Sequence, residues 1–241
     1  MEHEFEKLHS GGKGERISLY AGIGLSYLDV ASGSFSRRHE APEHIIQVNY
    51  CRAGQVVWNT QDDGSIFLNT GGFSLHMPDA CPESRFHFPT GQYQGLTIWI
   101  DLQEATAHPP ELIAETGILG ALFGELVCRD SAVLFLAGNE QTESIFSAFY
   151  DQPEELKLPY QRIKVLELLL YLTRMEFTPQ NRLTEYPPEQ IELVREIHDQ
   201  MLRHMERRIT IKELSKQYLI NPTTLKAAFK TVYGTSVAAH I

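Results

Sequence analysis

The chain has 241 residues, enough for one large and one small domain, and its 42% hydrophobic content supports ordinary globular cores. Acidic residues outnumber basic ones 31 to 21, a net charge of −10, so the molecule as a whole is not an electrostatic partner for polyanions. Cys51, Cys81 and Cys128 are odd in number and widely spaced, with no Cys-x-x-Cys, so neither a disulfide framework nor a cysteine zinc site is indicated.

The acidic start, Met-Glu-His-Glu-Phe-Glu, lacks an apolar signal region. The longest apolar run, Val165–Leu172, contains Glu167 and is too short to span a bilayer. The expectation is a cytoplasmic, reduced protein with no membrane span. No Gly-x-Ser-x-Gly, P-loop or dinucleotide fingerprint occurs, so neither a cofactor nor a catalytic residue is expected, and the protein reads as not an enzyme.

Residues 1–20, with Ser10-Gly11-Gly12-Lys13-Gly14, read as flexible. From Ile23 to Asp101 the spacing predicts strands over Ile23–Val30, His44–Cys51, Gln55–Thr60, Ser65–Asn69, Phe73–Met77, Arg85–Phe88 and Tyr93–Asp101. Asp62-Asp63-Gly64 and Thr70-Gly71-Gly72 are turn signals. Strands this short and close together predict a β-sandwich or barrel. In the last of them Leu96, Ile98 and Ile100 point one way, while Thr97, Trp99 and Asp101 point the other. One face is aliphatic core; the other is free to line a cavity. Should this body enclose a ligand, the candidates are its large and polar strand residues: Tyr50, Trp58, Phe67, His76, Arg85 and Trp99.

After Pro110 the pattern turns helical. Asn139 is placed to cap a helix running to about Tyr150, and Pro159 to start another reaching Phe177. In the second, Ile163, Val165, Leu166, Leu168, Leu169, Leu170 and Leu172 make the surface apolar almost all round, so it is buried on more than one side. Its second cover is either the 140–150 helix or the same helix (160–177) of a second subunit. Thr178–Pro188, with three prolines, reads as a linker.

The last fifty residues carry the most specific signal. A helix over 189–205 places Ile191, Val194, Ile197, Met201 and Met205 on one face. Thr210 and Glu213 then form a capping box, with Ile209 and Leu214 at staple spacing. Three residues, Leu219 to Asn221, break this helix from the next. Asn221 is the N-cap of that next helix, Pro222 its first residue and Gly234 its C′ residue. Leu225, Ala228, Phe229 and Val232 form its buried face. Thr223, Lys226, Ala227 and Lys230 form another, beside Thr224. Two short helices so joined are either a tight helical hairpin or a helix-turn-helix whose second helix enters the major groove of DNA. Eight Lys/Arg against six Asp/Glu lie between Glu189 and Ile241, a mildly basic tail on an acidic body.

The stretch Leu-x-x-x-Phe-Lys-x-x-x-Gly (225–234), after the capped Ile-x-x-Leu-Ser helix (211–215), resembles the first helix-turn-helix of AraC-type transcription regulators. The resemblance covers about fifty residues, and helix 189–205 matches the helix that opens that domain. It implies promoter DNA as partner, contacted through Thr223, Thr224, Lys226, Ala227 and Lys230, with Lys226 at a guanine edge or phosphate and Lys230 at phosphate. It further implies a cupin-like small-molecule sensor in the β-body, an unknown effector and a homodimer through helix 160–177. The Phe-x-Phe-Pro-x-Gly-x-Tyr-x-Gly-Leu-Thr-Ile stretch (86–98) looks like a sub-group of these regulators, some of which respond to iron-chelating molecules.

The expected architecture is therefore α+β: a cupin-like barrel or jelly roll over 1–137, a helical connector over 138–180 and the first half of an AraC-type DNA-binding domain over 181–241. The chain departs from the family pattern in two ways. Such regulators carry a second helix-turn-helix, whereas Ser236–Ile241 matches only the start of the helix that joins the two, so the ending reads as a truncation. The family often has arginine where Ala227 stands. Binding near the non-specific range, roughly 10⁻⁴ to 10⁻⁶ M, is expected. Two other functions are open: a sensor or interaction protein without DNA binding, and a cupin-type enzyme holding a metal at His76 or His87. Against the latter, His39-Glu40, His44, His76 and His87 do not form the His-x-His and Glu cluster such metal sites need.

Overall fold

Alternation of apolar and polar residues builds the front half of the molecule, and a helical period of 3.6 builds the back. The computed structural model describes residues 16–30, 34–38, 44–59, 65–77, 83–88, 91–127, 134–175, 188–203, 209–233 and 236–240.

Nine antiparallel strands are present among the described residues: β1 (Arg16–Tyr20), β2 (Ile23–Val30), β3 (Ser34–Arg38), β4 (Ile45–Asn59), β5 (Ser65–Asn69), β6 (Phe73–His76), β7 (Glu83–His87), β8 (Tyr93–Asp101) and β9 (Leu134–Leu136). The first sheet has the order β1-β2-β8-β4-β6-β9. The C-terminal part of β4 pairs instead with β5 and β7, and β7 with β3, making a second sheet.

β4 joins the two sheets. The sequence predicts two strands here, over 44–51 and 55–60; the structure fuses them into one of fifteen residues. A register shift between Cys51 and Ala53 and a positive φ of 78° at Gly54 bend the strand without ending it. A side chain at Gly54 would run into the Gln92 carbonyl. The flexible reading of residues 1–20 is corrected at its end, because Ile17 and Leu19 alternate into the core as part of β1. β3 and β9 were also not expected; each is short and has little alternation to reveal it.

The first sheet has two unlike faces. Ile23, Leu25, Ile46, Val48, Tyr50, Phe73, Leu75, Leu96, Ile98 and Ile100 form one apolar cluster with the helices. Those helices are α1 (Leu102–Ala107), α2 (Ile118–Val127), α3 (Glu140–Ser147) and α4 (Glu154–Thr173). Tyr50 stacks flat on Phe146 of α3, centroids 4.2 Å apart and planes 7° from parallel. The opposite face turns toward the second sheet. There Val30, Cys51 and Tyr93 meet Val56, Leu68 and Phe88 in a smaller cluster. This inner side of the first sheet carries Gln47, Asn49, Ser74, His76, Thr97 and Trp99, in register with one another.

α3 begins as the sequence predicts, with Asn139 and Thr142 in a reciprocal capping box. α4 does not. It starts at Glu154, five residues before Pro159, and ends at Thr173. Proline inside a helix removes one backbone donor and costs about 3 kcal/mol. Buried Gln161, Val165, Leu166, Leu168, Leu169 and Leu172 on α4 outweigh that cost. The expected linker lies mostly outside the described residues.

The C-terminal helices are α5 (Pro188–Arg203), α6 (Ile211–Gln217), α7 (Pro222–Tyr233) and α8 (Val237–His240). Their core extends onto the outer face of the second sheet, where Val57 and Phe67 join it. The whole is α+β, as expected.

Candidate nucleic-acid interface and barrel interior

α6 and α7 are built by their ends. The Thr210 hydroxyl accepts from the Glu213 backbone N–H at 3.2 Å, and the Glu213 carboxylate accepts from the Thr210 N–H at 2.9 Å. The Asn221 side chain accepts from the Thr223 N–H at 2.8 Å at the start of α7. Between the helices Leu219 holds a positive φ of 53°, a conformation that costs a non-glycine residue energy and here reverses the chain. The turn is pinned to α5: the Tyr218 hydroxyl donates to the Gln200 side-chain oxygen at 2.7 Å, and the Gln200 and Gln217 amides bond each other at 3.1 Å.

Leu214, Leu225, Ala228, Phe229 and Val232 are fully buried, together with Val194 and Ile197 of α5. His198 stacks on Tyr233 with centroids 4.1 Å apart. The Ile191 side chain, and Met205 and Gly234 altogether, lie outside the described residues. On the other side of α7, Thr223, Lys226, Ala227 and Lys230 are all exposed, and Thr224 is half-buried. α6 adds exposed Lys212 and Lys216. A short helix thus presents two lysines and a threonine to solvent on a rigid three-helix base. Such a surface can enter a groove edge-on and offer ammonium donors to phosphate or guanine.

The barrel interior is polar and hydrogen-bonded. The Thr97 hydroxyl donates to the Asn49 side-chain oxygen at 2.7 Å, and the Asn49 amide donates to the Ser74 hydroxyl at 3.3 Å. Gln47 and His76, paired across β4 and β6, are buried beside them. The Trp99 ring packs over Gly24, where a Cβ would collide with it, and the Arg16 guanidinium covers the ring at 4.3 Å. Burial lowers the Arg16 pKa below its ordinary value. Among the described residues the Trp99 indole N–H is buried with no partner.

Of the six candidate ligand residues, the structure brings His76 and Trp99 to this interior face. Tyr50 is on the opposite face of β4, against α3, where its hydroxyl donates to the Glu143 carboxylate at 3.3 Å. Phe67 faces outward from the second sheet into the α5–α7 core. Trp58 and Arg85 occupy β4 and β7, but their side chains lie outside the described residues. Gln47, Asn49 and Ser74 are not singled out by the sequence, although their parity with Trp99 and His76 is available; Thr97 is on the face the sequence leaves free to line a cavity, but not among the ligand candidates. Among the described residues no group of three or more His, Cys, Asp or Glu could hold a metal ion. Among them, too, no helix is long and apolar enough to cross a membrane.

No protein-family model matches the chain, and no curated protein matches it. Solved structures do, and AraC-like regulators are among them. The chain is similar to the AraC-like transcriptional activator CuxR, with a TM-score of 0.41 and 11% identity over 90% of this chain and 73% of that one. It is similar to ToxT from Vibrio cholerae, with a TM-score of 0.40 and 7% identity over 91% and 97% of the two chains. A third similar structure is unsaturated fatty acid-bound ToxT from V. cholerae strain SCE256, with a TM-score of 0.39 and 7% identity over 89% and 92%.

Proposed function

We propose that this protein is a ligand-responsive transcription regulator of the AraC type, not an enzyme. Residues 181–241 read promoter DNA, residues 1–137 sense a small molecule in a cupin-like barrel, and residues 138–180 connect and dimerise. The observation that carries the reading is the division of α7. Leu225, Ala228, Phe229 and Val232 are fully buried, whereas Thr223, Lys226, Ala227 and Lys230 are exposed on a capped, rigidly seated helix. Any surface helix buries one face; what supports the DNA reading is that the open one carries lysines and a threonine and follows a capped helix across a short turn.

The test is fluorescence anisotropy with a labelled duplex across a salt series. Binding that weakens with salt is expected, and Lys226→Ala and Lys230→Ala should each lower the slope of log K against log salt by about 1. Binding that ignores both substitutions places DNA elsewhere; no binding at low salt removes the DNA-reading function and leaves a sensor.

A second copy of the chain is the partner that fits α4. Leu156, Tyr160, Ile163 and Leu170 stay exposed there, at spacings of four, three and seven residues. Such spacing suits a seam between two helices packed side by side. Ile163 is 59% exposed. Light scattering at micromolar concentration should give the mass of two chains, and Ile163→Glu that of one. A single-chain mass for the unaltered protein would remove the dimer.

The effector belongs on the Gln47, Asn49, Ser74, His76 and Thr97 face. These side chains are hydrogen-bond donors and acceptors, suited to orienting a polar ligand. Binding would favour one arrangement of the DNA-reading units, a shift of population between states of differing affinity.

A further inference from the structure

On the outside of the barrel, away from that face, the rim of the first sheet and the loop joining α3 to α4 enclose a cleft of about 250 Å³. Three aromatic rings line it, among charged and polar side chains. Tyr27 of β2 and Tyr150 of the loop meet edge to face, ring centroids 5.1 Å apart, and Phe149 adjoins them. Tyr27 is fixed: its hydroxyl donates to the Phe149 carbonyl and accepts from the Gln161 amide at 2.8 Å.

Two cations flank these rings. The Arg52 guanidinium lies over Tyr150 at 4.2 Å, and the Lys157 ammonium lies 5.7 Å from the centre of Tyr27. Three carboxylates neighbour the two cations. Asp29 lines the cleft and accepts from the Gln94 amide at 3.1 Å, which orients it but supplies no opposite charge. Asp151 pairs with Arg52 at 2.8 Å through one guanidinium nitrogen, and its side chain is largely in solvent. Glu154, more exposed still, is 3.7 Å from Lys157. The Tyr150 hydroxyl is buried and, among the described residues, has no hydrogen-bond partner. Burial raises its pKa, so it keeps its proton and offers a neutral donor.

We propose that this cleft binds a small aromatic carboxylate: the ring lies against Tyr27 and Tyr150, and the carboxylate takes Arg52, Lys157 and the Tyr150 hydroxyl. A guanidinium stacked on a ring presents its donors in plane, the geometry that suits a carboxylate's two oxygens. At interior packing density a volume of this size matches a ligand portion of on the order of ten non-hydrogen atoms. The site joins the barrel to the first turns of α4, so its ligand stiffens the base of the proposed dimer helix. It is separate from the barrel-interior site and does not depend on the DNA-reading function.

The test is calorimetric titration of the whole chain with benzoate, with benzamide and benzamidine as neutral and cationic controls. Saturable benzoate binding is expected, at least tenfold tighter than either control. Arg52→Gln should weaken it by about tenfold or more, since a charge-assisted bond is lost. Tyr150→Phe removes only the unpartnered hydroxyl, so the unliganded melting temperature should hold or rise while benzoate binding weakens severalfold. That variant keeps the test sound if Arg52→Gln folds poorly. No saturable binding below about 10 mM, equal binding of benzamide, or binding untouched by both substitutions would overturn the proposal.

Discussion

Cys51 sits between the two sheets with no exposure, and burial pushes its thiol up to about 12. It should stay unlabelled by iodoacetamide near neutral pH, as peptide mapping would show, and react once the chain is denatured. Its labelling in the folded protein would contradict the small inter-sheet core. Tyr27 is pushed up to about 12 as well, chiefly by burial, and Tyr50, Tyr93 and Tyr150 are also raised by burial. A phenol whose folded pKa lies above its unfolded value of 10.0 contributes stability fully below that value and loses it as pH climbs through the folded pKa. The protein should therefore unfold in alkali between about pH 10 and 12, with tyrosinate absorbance and loss of circular dichroism rising together. Tyrosinate forming well before unfolding would contradict it. At this scale the sequence was only partly legible. Large side chains drew attention to Tyr50, yet its parity with Ile46 and Val48 assigns it to the aliphatic face. The same parity assigns Gln47 and Asn49 to the interior.

At the scale of elements, strands with clear alternation and bounding turns, β2, β5 and β8, occupy the ranges the sequence predicts, and so do the capped helix starts. The Thr210–Glu213 and Asn139–Thr142 boxes form as their spacing requires, because a cap is a contact between residues three apart. The start of α4 was missed because Pro159 usually opens a helix, and only packing several turns away holds it inside one. β1, β3 and β9 depend on partners that local sequence does not name. Two substitutions test the turn between α6 and α7. Thr210→Ala should cost about 1 kcal/mol in chemical denaturation through the lost cap. Leu219→Asn should be neutral or stabilising by up to about 1 kcal/mol, since Leu219 is 93% exposed at positive φ and asparagine tolerates that conformation better. A destabilising Leu219→Asn would mean that the exposed leucine makes a contact the free chain does not show.

Across the whole molecule, the α5–α7 unit is seated on the barrel rather than tethered beside it. Val57 and Phe67 belong to its core. Phe67→Ala should remove about 3–5 kcal/mol of packing and speed amide exchange in α7 while β2 and β8 stay protected. Uniform loss of protection would mean that the two parts unfold as one. Seated this way, α7 still turns Thr223, Lys226, Ala227 and Lys230 to solvent, so the docking is compatible with the exposure that the proposed DNA reading needs. That compatibility is the centre of the account, and a backbone amide NMR titration with a DNA duplex addresses it most directly. Shifts confined to 222–230 and to Lys212 and Lys216, and reversed by added salt, are the expected result. An unchanged spectrum, or shifts gathered on the barrel strands with α7 silent, would contradict it.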